Sequence, residues 1–398
     1  MRDKLSNLEV DFAGVWFKNP FLLSASPPAM DADHIIRAAE KGWGGAVTKT
    51  IGVEVDIDLK PRLGSIRSGK RPIAMENIEL ISTKSIDTWC NEHIPEIKDK
   101  APSDFVLIAS IIAGKESDEW GELARRVQEA GADMIELNVS CPHGMPQRGM
   151  GMFIGQNAEM VANVTKGAKK NTNLPVIVKL TPNVTDIGHI ATKAENAGAN
   201  ALSAINTVSA IIGVDIVSEI PIPNVKGYSA PGGLSGPAVR PVALRCINEI
   251  YKASSLPISG IGGVEDWRSS VEFILMGAST IQLCTQVMWK GYDIIEKLKS
   301  GLTSYMDKKG YNNIADFCGN ASKRIVQYPM LELQPGLHAE IDTEKCKGCG
   351  LCVTACRDGA FNALTMENKK ARVYPERCDC CGLCQIVCRF DAVRFVGD

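Results

Sequence analysis

The most chemically specific feature of the sequence is a repeated pattern of cysteines near its C-terminal end. Two runs share the spacing Cys-x2-Cys-x2-Cys-x3-Cys, and the second follows the first at an offset of 32 residues. The cysteines of these runs are Cys346, Cys349, Cys352, Cys356, Cys378, Cys381, Cys384 and Cys388. Thiolates at this spacing are typical ligands of iron–sulfur clusters. Paired cysteines also occur in zinc sites, but the third and fourth cysteines of each run favour iron–sulfur over zinc.

This segment resembles a bacterial two-cluster ferredoxin. In that pattern each [4Fe–4S] cluster takes three cysteines from one run and the last cysteine of the other run. The resemblance therefore implies two crossed ligand sets: Cys346, Cys349, Cys352 and Cys388 for one cluster, and Cys378, Cys381, Cys384 and Cys356 for the other. Cys380 is a ninth thiol without a ligand role in this pattern. Two adjacent clusters carry electrons but perform no substrate chemistry, so we expect the reaction elsewhere in the chain.

Polar side chains within or just after short apolar runs form a second set of candidate functional residues. They are Lys49, Asn138, Cys141, Lys179, Asn206 and Thr207. A lysine inside an apolar run, as in Val178-Lys179-Leu180, is costly to bury unless an anion meets it. The N1 region of a reduced flavin is one such anion. An ion pair with a carboxylate of the chain itself is the alternative.

Cys141 lies in a glycine-rich loop that follows Asn138-Val-Ser. A thiol at this place can deliver a proton to a substrate carbon, and His143 is close enough in sequence to tune or relay that proton. Most loop cysteines are inert, but the flanking Asn138, Ser140 and His143 favour a catalytic role here. We leave Cys90, Cys246 and Cys318 as structural.

The elements that must position these side chains are short β-branched runs alternating with helical stretches. Glycines at 42, 131, 198 and 277 suit the helix C′ position before a buried strand. The candidate strands are Phe21–Ala25, Gly45–Thr50, Phe105–Ile111, Met134–Val139, Val176–Leu180, Ala201–Ile205, Pro257–Ile261 and Thr280–Cys284. Eight parallel strands with helical crossovers predict a (β/α)8 TIM barrel with its active site at the carboxyl ends of the strands. An open doubly wound sheet is the alternative.

The predicted barrel spans residues 1–330, a linker follows at 331–338, and the ferredoxin-like domain occupies residues 339–398. The segment Gly260-Ile-Gly-Gly263 and the pair Cys284-Thr285 follow the last two strands, where such barrels commonly bind a cofactor phosphate. Neither a G-x-G-x-x-G fingerprint after a strand nor a Walker lysine occurs, so we expect neither NAD nor ATP to bind in the usual ways.

The composition excludes several classes of function. A chain of 398 residues with 45% hydrophobic side chains can bury a large core, and its net charge of -2 offers no footprint for nucleic acid or an anionic membrane. The longest apolar stretches fall short of a membrane span, and the N-terminal residues lead into no apolar signal core. We expect a soluble cytoplasmic protein whose cysteines stay reduced and whose partners are small molecules or proteins.

Four segments resemble dihydropyrimidine dehydrogenases: Asn77-Ile-Glu-Leu-Ile, Asn138-Val-Ser-Cys-Pro-His-Gly-Met, Lys179-Leu-Thr-Pro-Asn-Val-Thr-Asp and Asn206-Thr-Val-Ser. The resemblance extends over almost the whole chain. It implies FMN near Ala25, Lys49, Thr50, Asn138, Lys179, Gly236, Ile261, Gly262, Gly263, Cys284 and Thr285. It implies a substrate that meets Asn77, Glu79, Asn138, Ser140, Asn206 and Thr207, with Cys141 as the catalytic cysteine.

The resemblance also implies an activity: reduction of the 5,6 double bond of uracil or thymine by hydride from FMN and a proton from Cys141. Electrons would come from NAD(P)H through an FAD-containing partner flavoprotein and the two clusters. We expect a hetero-oligomer, with a homodimeric core as one arrangement. Alternatives are a dihydroorotate dehydrogenase, a reductase of another conjugated cyclic amide, and a non-catalytic electron-transfer subunit. Glu79 near the substrate would repel the carboxylate of orotate.

Overall fold

The computed structural model describes residues 7–52, 59–142, 145, 149–332 and 336–397. The chain divides into two compact units, Met1–Ile325 and Val326–Asp398. The domain boundary at residue 330 and the linker at 331–338 stay predictions.

Eight parallel strands of the first unit close into a barrel. In chain order they are β1 (Phe21–Leu23), β2 (Gly45–Val47), β3 (Val106–Ile111), β4 (Met134–Asn138), β5 (Val176–Leu180), β6 (Ala201–Ala204), β7 (Ile258–Ile261) and β8 (Ala278–Leu283). Each predicted strand overlaps one of them, so the (β/α)8 barrel is confirmed and the open sheet is wrong. The predicted Gly45–Thr50 extends three residues past the end of β2, because the residues after Val47 already belong to the mouth of the barrel.

Helices follow every barrel strand. In chain order they are Ala32–Glu40, the contiguous Ile86–Thr88, Trp89–His93 and Ile94–Lys100, then Ser117–Glu129, Met152–Gly155, Ala158–Lys170, Ile187–Asn196, Arg240–Ala253, Trp267–Met276, Thr285–Lys290 and Ile294–Lys309. Short 3-10 turns lie at Pro27–Ala29, Pro237–Val239, Ile314–Asp316, Ser322–Arg324 and Tyr328–Met330. Three helices begin at an aspartate whose carboxylate accepts the N–H of the third helical residue: Asp31, Asp186 and Asp266.

Four glycines are predicted at helix C′ positions before buried strands, and we call them the glycine joints: Gly42, Gly131, Gly198 and Gly277. All four have positive φ. Side-chain-bearing residues rarely adopt that conformation, which explains why glycine recurs where a helix turns back into a buried strand. Among the helices of the described ranges, none combines the length and the apolar character needed to cross a membrane.

The interior of the barrel is layered. An apolar layer of Leu22, Val47, Ile108, Met134, Ile177 and Ala201 packs against Phe12 and Phe17 of the hairpin Val10–Phe12 and Val15–Phe17. A polar layer contains Ser110, Glu136, Lys179, Ser203, Ser259, Thr280 and Gln282, all buried. Since buried polar groups need partners, this second layer is held by hydrogen bonds that cross between strands.

A four-stranded antiparallel sheet, absent from the sequence prediction, comes from the loops after β2 and β6. Its strands in spatial order are Val208–Ala210, Gly232–Ser235, Arg71–Asn77 and Leu63–Ser68. The buried carboxylate of Glu76 accepts the backbone N–H groups of Ile212 and Gly232, both at 3.2 Å. A further strand pair, Val214–Asp215 with Ile220–Pro221, lies in the same excursion after β6.

The second unit contains two antiparallel strand pairs and two helices, in keeping with its repeated cysteine pattern. Strands His338–Ile341 and Val393–Val396 form one antiparallel pair, and Leu364–Glu367 and Lys370–Val373 form another. Helices Leu351–Asp358 and Leu383–Val387 follow the two cysteine-rich loops, and a 3-10 turn lies at Pro375–Arg377. Its small apolar core includes the thiols Cys346, Cys356 and Cys384. This architecture agrees with the predicted ferredoxin-like domain.

Candidate active site

A cavity at the carboxyl ends of the barrel strands gathers most of the predicted site residues. It holds about 1130 Å³ of empty space, counting its solvent-open mouth. Its lining includes Ala25, Lys49, Thr50, Asn77, Glu79, Asn138, Cys141, Lys179, Asn206, Thr207, Gly236, Ile261, Gly262, Gly263, Cys284 and Thr285. Ser140 is fully buried behind this lining. His143 lies outside the described residues.

A hydrogen-bond network fixes two asparagines, Asn138 at the end of β4 and Asn206 just after β6. Asn138 Nδ2 donates to Thr50 Oγ1 at 2.9 Å, and Asn138 Oδ1 accepts from Ser140 Oγ at 3.0 Å. Asn206 Nδ2 donates to Ser140 Oγ at 2.9 Å, while Asn206 Oδ1 accepts the N–H of Thr207 at 2.8 Å. The Ser140 hydroxyl thus joins both amides, which holds them in one orientation before any ligand arrives.

Both lysines of the cavity have a carboxylate partner within the chain. Lys49 Nζ lies 3.4 Å from Glu79 Oε1, and Lys179 Nζ lies 3.3 Å from Glu136 Oε1. The internal ion pair, the alternative raised by the sequence, is therefore present for each lysine. Both distances exceed the roughly 2.7–2.9 Å of a close charge-assisted hydrogen bond, so each ammonium keeps some capacity to meet an anionic ligand.

Cys284 lies close to both lysines. Burial raises the pKa of its thiol, although a hydrogen bond with Ser26 and the charges of Lys49 and Lys179 partly offset this rise. The thiol is therefore neutral at pH 7 and adds no negative charge near the lysines.

Glycine-rich backbone forms one side of the cavity. Gly262 and Gly263 have φ of +122° and +84°, and a Cβ on Gly263 would come within 2.9 Å of the carbonyl oxygen of Gly236 and within 2.8 Å of Arg240 Cβ. Thr285 Oγ1 donates to Ser235 Oγ at 2.9 Å across the same side of the cavity. Only residues without side chains allow this close approach of backbone segments, which leaves backbone groups available for a phosphate.

The donor set of the cavity fits FMN. Two lysines can meet the negative charge of a reduced flavin ring, and the glycine backbone with Thr285 suits its phosphate. In addition, Gln282 Oε1 is a buried acceptor without a partner among the described residues, and Gln282 lines the cavity. A buried acceptor of this kind is costly unless a ligand donates to it.

Cys141 faces this cavity from the loop after β4 and is 7% exposed. Its carbonyl oxygen accepts the N–H of Met152 at 2.9 Å, which starts the short helix Met152–Gly155. Gly151 has φ of +58°, and a Cβ there would come within 2.7 Å of the Cys141 carbonyl oxygen. The backbone of the cysteine is therefore held in place, and its side chain lines the same cavity as Asn138 and Lys179.

In the second unit, a cavity of about 330 Å³ is lined by Cys356, Cys378, Cys381 and Cys384, together with Cys380. This brings the last cysteine of the first run to three cysteines of the second run. Burial raises the pKa of Cys384 to about 11, and the electrostatic effect of the neighbouring cysteines Cys378, Cys381 and Cys352 contributes to the rise. Such crowded thiols ionise easily only when a metal centre compensates their charge, so the arrangement fits an iron–sulfur cluster.

Two residues of the site were missed by the sequence analysis: Glu136, the buried partner of Lys179, and Gln282. A signal for Glu136 was present. It interrupts the apolar run Met134-Ile-Glu-Leu just as Lys179 interrupts its own strand, and the argument that a buried charge needs a partner applies equally to both.

Comparisons with known proteins agree with this description. A family model described as dihydroorotate dehydrogenase matches residues 7–306, and one described as a 4Fe-4S dicluster domain matches residues 339–395. The NAD-dependent dihydropyrimidine dehydrogenase subunit PreA of Escherichia coli K12 is 39% identical over 367 residues, which cover 91% of this chain and 88% of that relative.

Two further relatives match the same share of this chain but differ in how much of their own length is aligned. The chloroplastic dihydropyrimidine dehydrogenase (NADP(+)) of Arabidopsis thaliana is 36% identical over 329 residues, covering 79% of this chain and 77% of the relative. The catalytic subunit of dihydroorotate dehydrogenase B (NAD(+)) of Pyrococcus abyssi is 39% identical over 317 residues. That alignment covers 79% of this chain but 99% of the relative, which leaves almost none of its sequence to match the rest of this chain.

Proposed function

This chain belongs to the dihydroorotate dehydrogenase family of FMN-binding oxidoreductases, and from that premise we propose that it is the catalytic subunit of an NAD(P)-dependent dihydropyrimidine dehydrogenase. The proposed reaction reduces the 5,6 double bond of uracil or thymine. The observation that carries this proposal is a cavity with three asparagine amides and a thiol, in which both described lysines already have carboxylate partners. Such a lining suits a neutral amide ring better than a carboxylate.

FMN, when bound, supplies hydride transfer. Its proposed contacts are Ala25, Lys49, Thr50, Asn138, Lys179, Gly236, Ile261, Gly262, Gly263, Cys284 and Thr285. Lys49 and Lys179 stabilise negative charge on the ring, and the backbone at Gly262 and Gly263 takes the phosphate. Thr50 supports Asn138 through the hydrogen bond between their side chains.

Substrate recognition is assigned to Asn77, Glu79, Asn138, Ser140, Asn206 and Thr207. A pyrimidine edge alternates N–H donors and C=O acceptors, and an asparagine amide offers both functions at a fixed spacing. Asn206 and Asn138 are already oriented by Ser140, so binding requires little reordering of these side chains.

Proton delivery to C5 of the ring is assigned to the thiol of Cys141. Its place in the cavity lining puts it within the space shared with the substrate amides, and its backbone is anchored through Met152. A positioned general acid typically contributes about 10²–10⁴-fold to the rate. His143 remains the proposed residue that tunes or relays this proton.

The alternative substrate, orotate, is disfavoured by charge and by the length of the chain. Glu79 borders the cavity and would repel the carboxylate of orotate, while the two described lysines of the lining, each with a carboxylate partner, are assigned to the flavin and not to the substrate. The 317 aligned residues of the P. abyssi relative are 99% of its length. The E. coli dihydropyrimidine dehydrogenase subunit aligns with this chain over 367 residues. The longer alignment favours the pyrimidine assignment.

The second unit binds two [4Fe–4S] clusters, and we propose the crossed ligand sets for them. The cavity that joins Cys356 to the second run supports one set, and the internal repeat supports its counterpart with Cys388.

The E. coli relative is named a subunit. We propose that this chain also works with a partner subunit, an FAD-containing flavoprotein that oxidises NAD(P)H. The two polypeptides form a hetero-oligomer in the cytoplasm.

The test is an anaerobic single-turnover experiment with the full-length chain. The protein is reduced with a dithionite-reduced dye and mixed with uracil, thymine or orotate while flavin reoxidation is followed. We expect uracil or thymine to reoxidise the flavin about 100-fold faster than orotate. Glu79→Gln should narrow that gap by accelerating orotate. Orotate reacting as fast as uracil would support a dihydroorotate dehydrogenase instead, and protein without flavin would support an electron-transfer subunit.

A further inference from the structure

Glu136 is a fully buried carboxylate in the middle of β4. Its neighbours Ile135 and Leu137 pack in the outer core between strands and helices. Since side chains alternate along a strand, Glu136 points into the barrel, as its hydrogen bonds to β6 and β8 require. A carboxylate at this depth is strongly disfavoured unless its charge is compensated.

The two carboxylate oxygens of Glu136 are used differently. Oε2 accepts from Ser203 Oγ at 2.8 Å and from Gln282 Nε2 at 3.2 Å. Oε1 accepts no hydrogen bond from the described residues, yet it lies 3.3 Å from Lys179 Nζ. The angle of approach is therefore poor for a hydrogen bond, and the attraction between Oε1 and the ammonium is mainly electrostatic.

Lys179 lies between this carboxylate and the cavity. It is 4% exposed and belongs to the cavity lining, whereas Glu136 does not line the cavity. Ser203 and Gln282 hold the carboxylate from β6 and β8, so the ammonium has a fixed countercharge on the side away from any ligand. Few other compensating charges are available in this buried layer, because the rest of it consists of hydroxyl and amide groups.

We infer that Glu136 is a positioning residue that holds the ammonium of Lys179 at the floor of the cavity and offsets part of its charge, thereby lowering the reduction potential of the bound FMN. This role rests on the proposed FMN site. With the carboxylate present, Lys179 attracts the negative charge of reduced flavin less strongly than an unpaired ammonium does. Glu136 therefore sets how readily electrons leave the flavin for substrate.

The test compares Glu136→Gln with Glu76→Gln in the full-length protein. Both changes neutralise a fully buried carboxylate of the first unit, but among the described residues Glu76 accepts hydrogen bonds only from backbone N–H groups, and it is not part of the cavity lining. The FMN reduction potential is measured by anaerobic dye equilibration, with the clusters followed at wavelengths where flavin does not absorb. The affinities for oxidised and reduced FMN are measured alongside.

We expect Glu136→Gln to shift the FMN potential to more positive values and to favour reduced over oxidised FMN by about tenfold, whereas Glu76→Gln leaves both unchanged. An unchanged potential in folded, FMN-loaded Glu136→Gln, or an equal shift in both variants, would overturn the inference. If Glu136→Gln does not fold, Glu136→Asp decides: a smaller positive shift supports the inference and no shift overturns it. Wild-type protein without FMN would contradict the proposed function instead.

Discussion

The thiol of Cys141 can be removed without removing the groups that hold the flavin. We predict that Cys141→Ala keeps FMN and its reduction by artificial donors but lowers pyrimidine turnover about 100-fold or more, because only proton delivery is lost. Cys141→Ser should be similarly slow, since a hydroxyl is a far weaker acid. Steady-state kinetics with a reduced dye measure the effect.

Cys246→Ala is the matched control. This cysteine is fully buried in the helix Arg240–Ala253, and burial raises the pKa of its thiol to about 11. The control should keep near-normal turnover. If Cys141→Ala also turns over normally, the proton comes from another group, with His143 the first to examine.

At the level of residues, the sequence predicted individual side chains better than their pairing. The argument that a lysine inside an apolar strand needs an anion singled out Lys179, and the structure places it in the cavity. Its partner Glu136 is 43 residues earlier in the chain. The pair forms because β4 and β5 lie side by side in a register that sets Asn138 opposite Lys179, and that register exists only in three dimensions.

Among the secondary-structure elements, the glycine joints show how local chain geometry supports the barrel. Gly277 ends the helix Trp267–Met276 with φ of +119°, and a Cβ there would lie 2.3 Å from Tyr251 Cδ2. We predict that Gly277→Ala destabilises the first unit by about 3 kcal/mol or more, from backbone strain and overpacking together.

Gly310→Ala separates these two causes. Gly310 also has a positive φ, +73°, but its Cβ position is open. It should cost only about 1 kcal/mol. Thermal unfolding midpoints of the two variants provide the comparison, and equal decreases would show that the predicted clash with Tyr251 does not matter.

All eight barrel strands were predicted because each is a buried apolar run. A glycine joint precedes several of them. The four-stranded sheet beside the mouth was missed for a physical reason. The strand Leu63–Ser68 is largely exposed and Gly232–Ser235 is rich in glycine, so neither has the periodicity of a buried strand. That sheet is stabilised by long-range contacts such as those of Glu76, which local sequence does not reveal.

For the second unit, iron content tests the crossed ligand sets. We predict about eight iron atoms per chain in the wild type and about four in Cys378→Ala or in Cys356→Ala. The double variant should also keep about four, because both cysteines serve the same cluster. Cys380→Ala is the control and should keep about eight. A double variant without iron, combined with half-loaded single variants, would show that the two cysteines hold different clusters.

For the whole molecule, the central claim is that this chain reduces pyrimidines but depends on a partner for electrons from NAD(P)H. No dinucleotide fingerprint follows a strand in the sequence, while the cluster-binding unit provides a route for electrons from outside. The cavity is already lined with amides and a thiol, so a nicotinamide would have to compete with substrate for the same space.

The most direct test is anaerobic uracil reduction by the isolated full-length chain, supplied in parallel with NADH, with NADPH or with a dithionite-reduced dye. The predicted result is turnover with the dye and essentially none with either nicotinamide. Rapid uracil reduction with NADH or NADPH and no second polypeptide would contradict the need for a partner, and failure of the dye-reduced, FMN-loaded chain to reduce uracil or thymine would contradict the proposed activity.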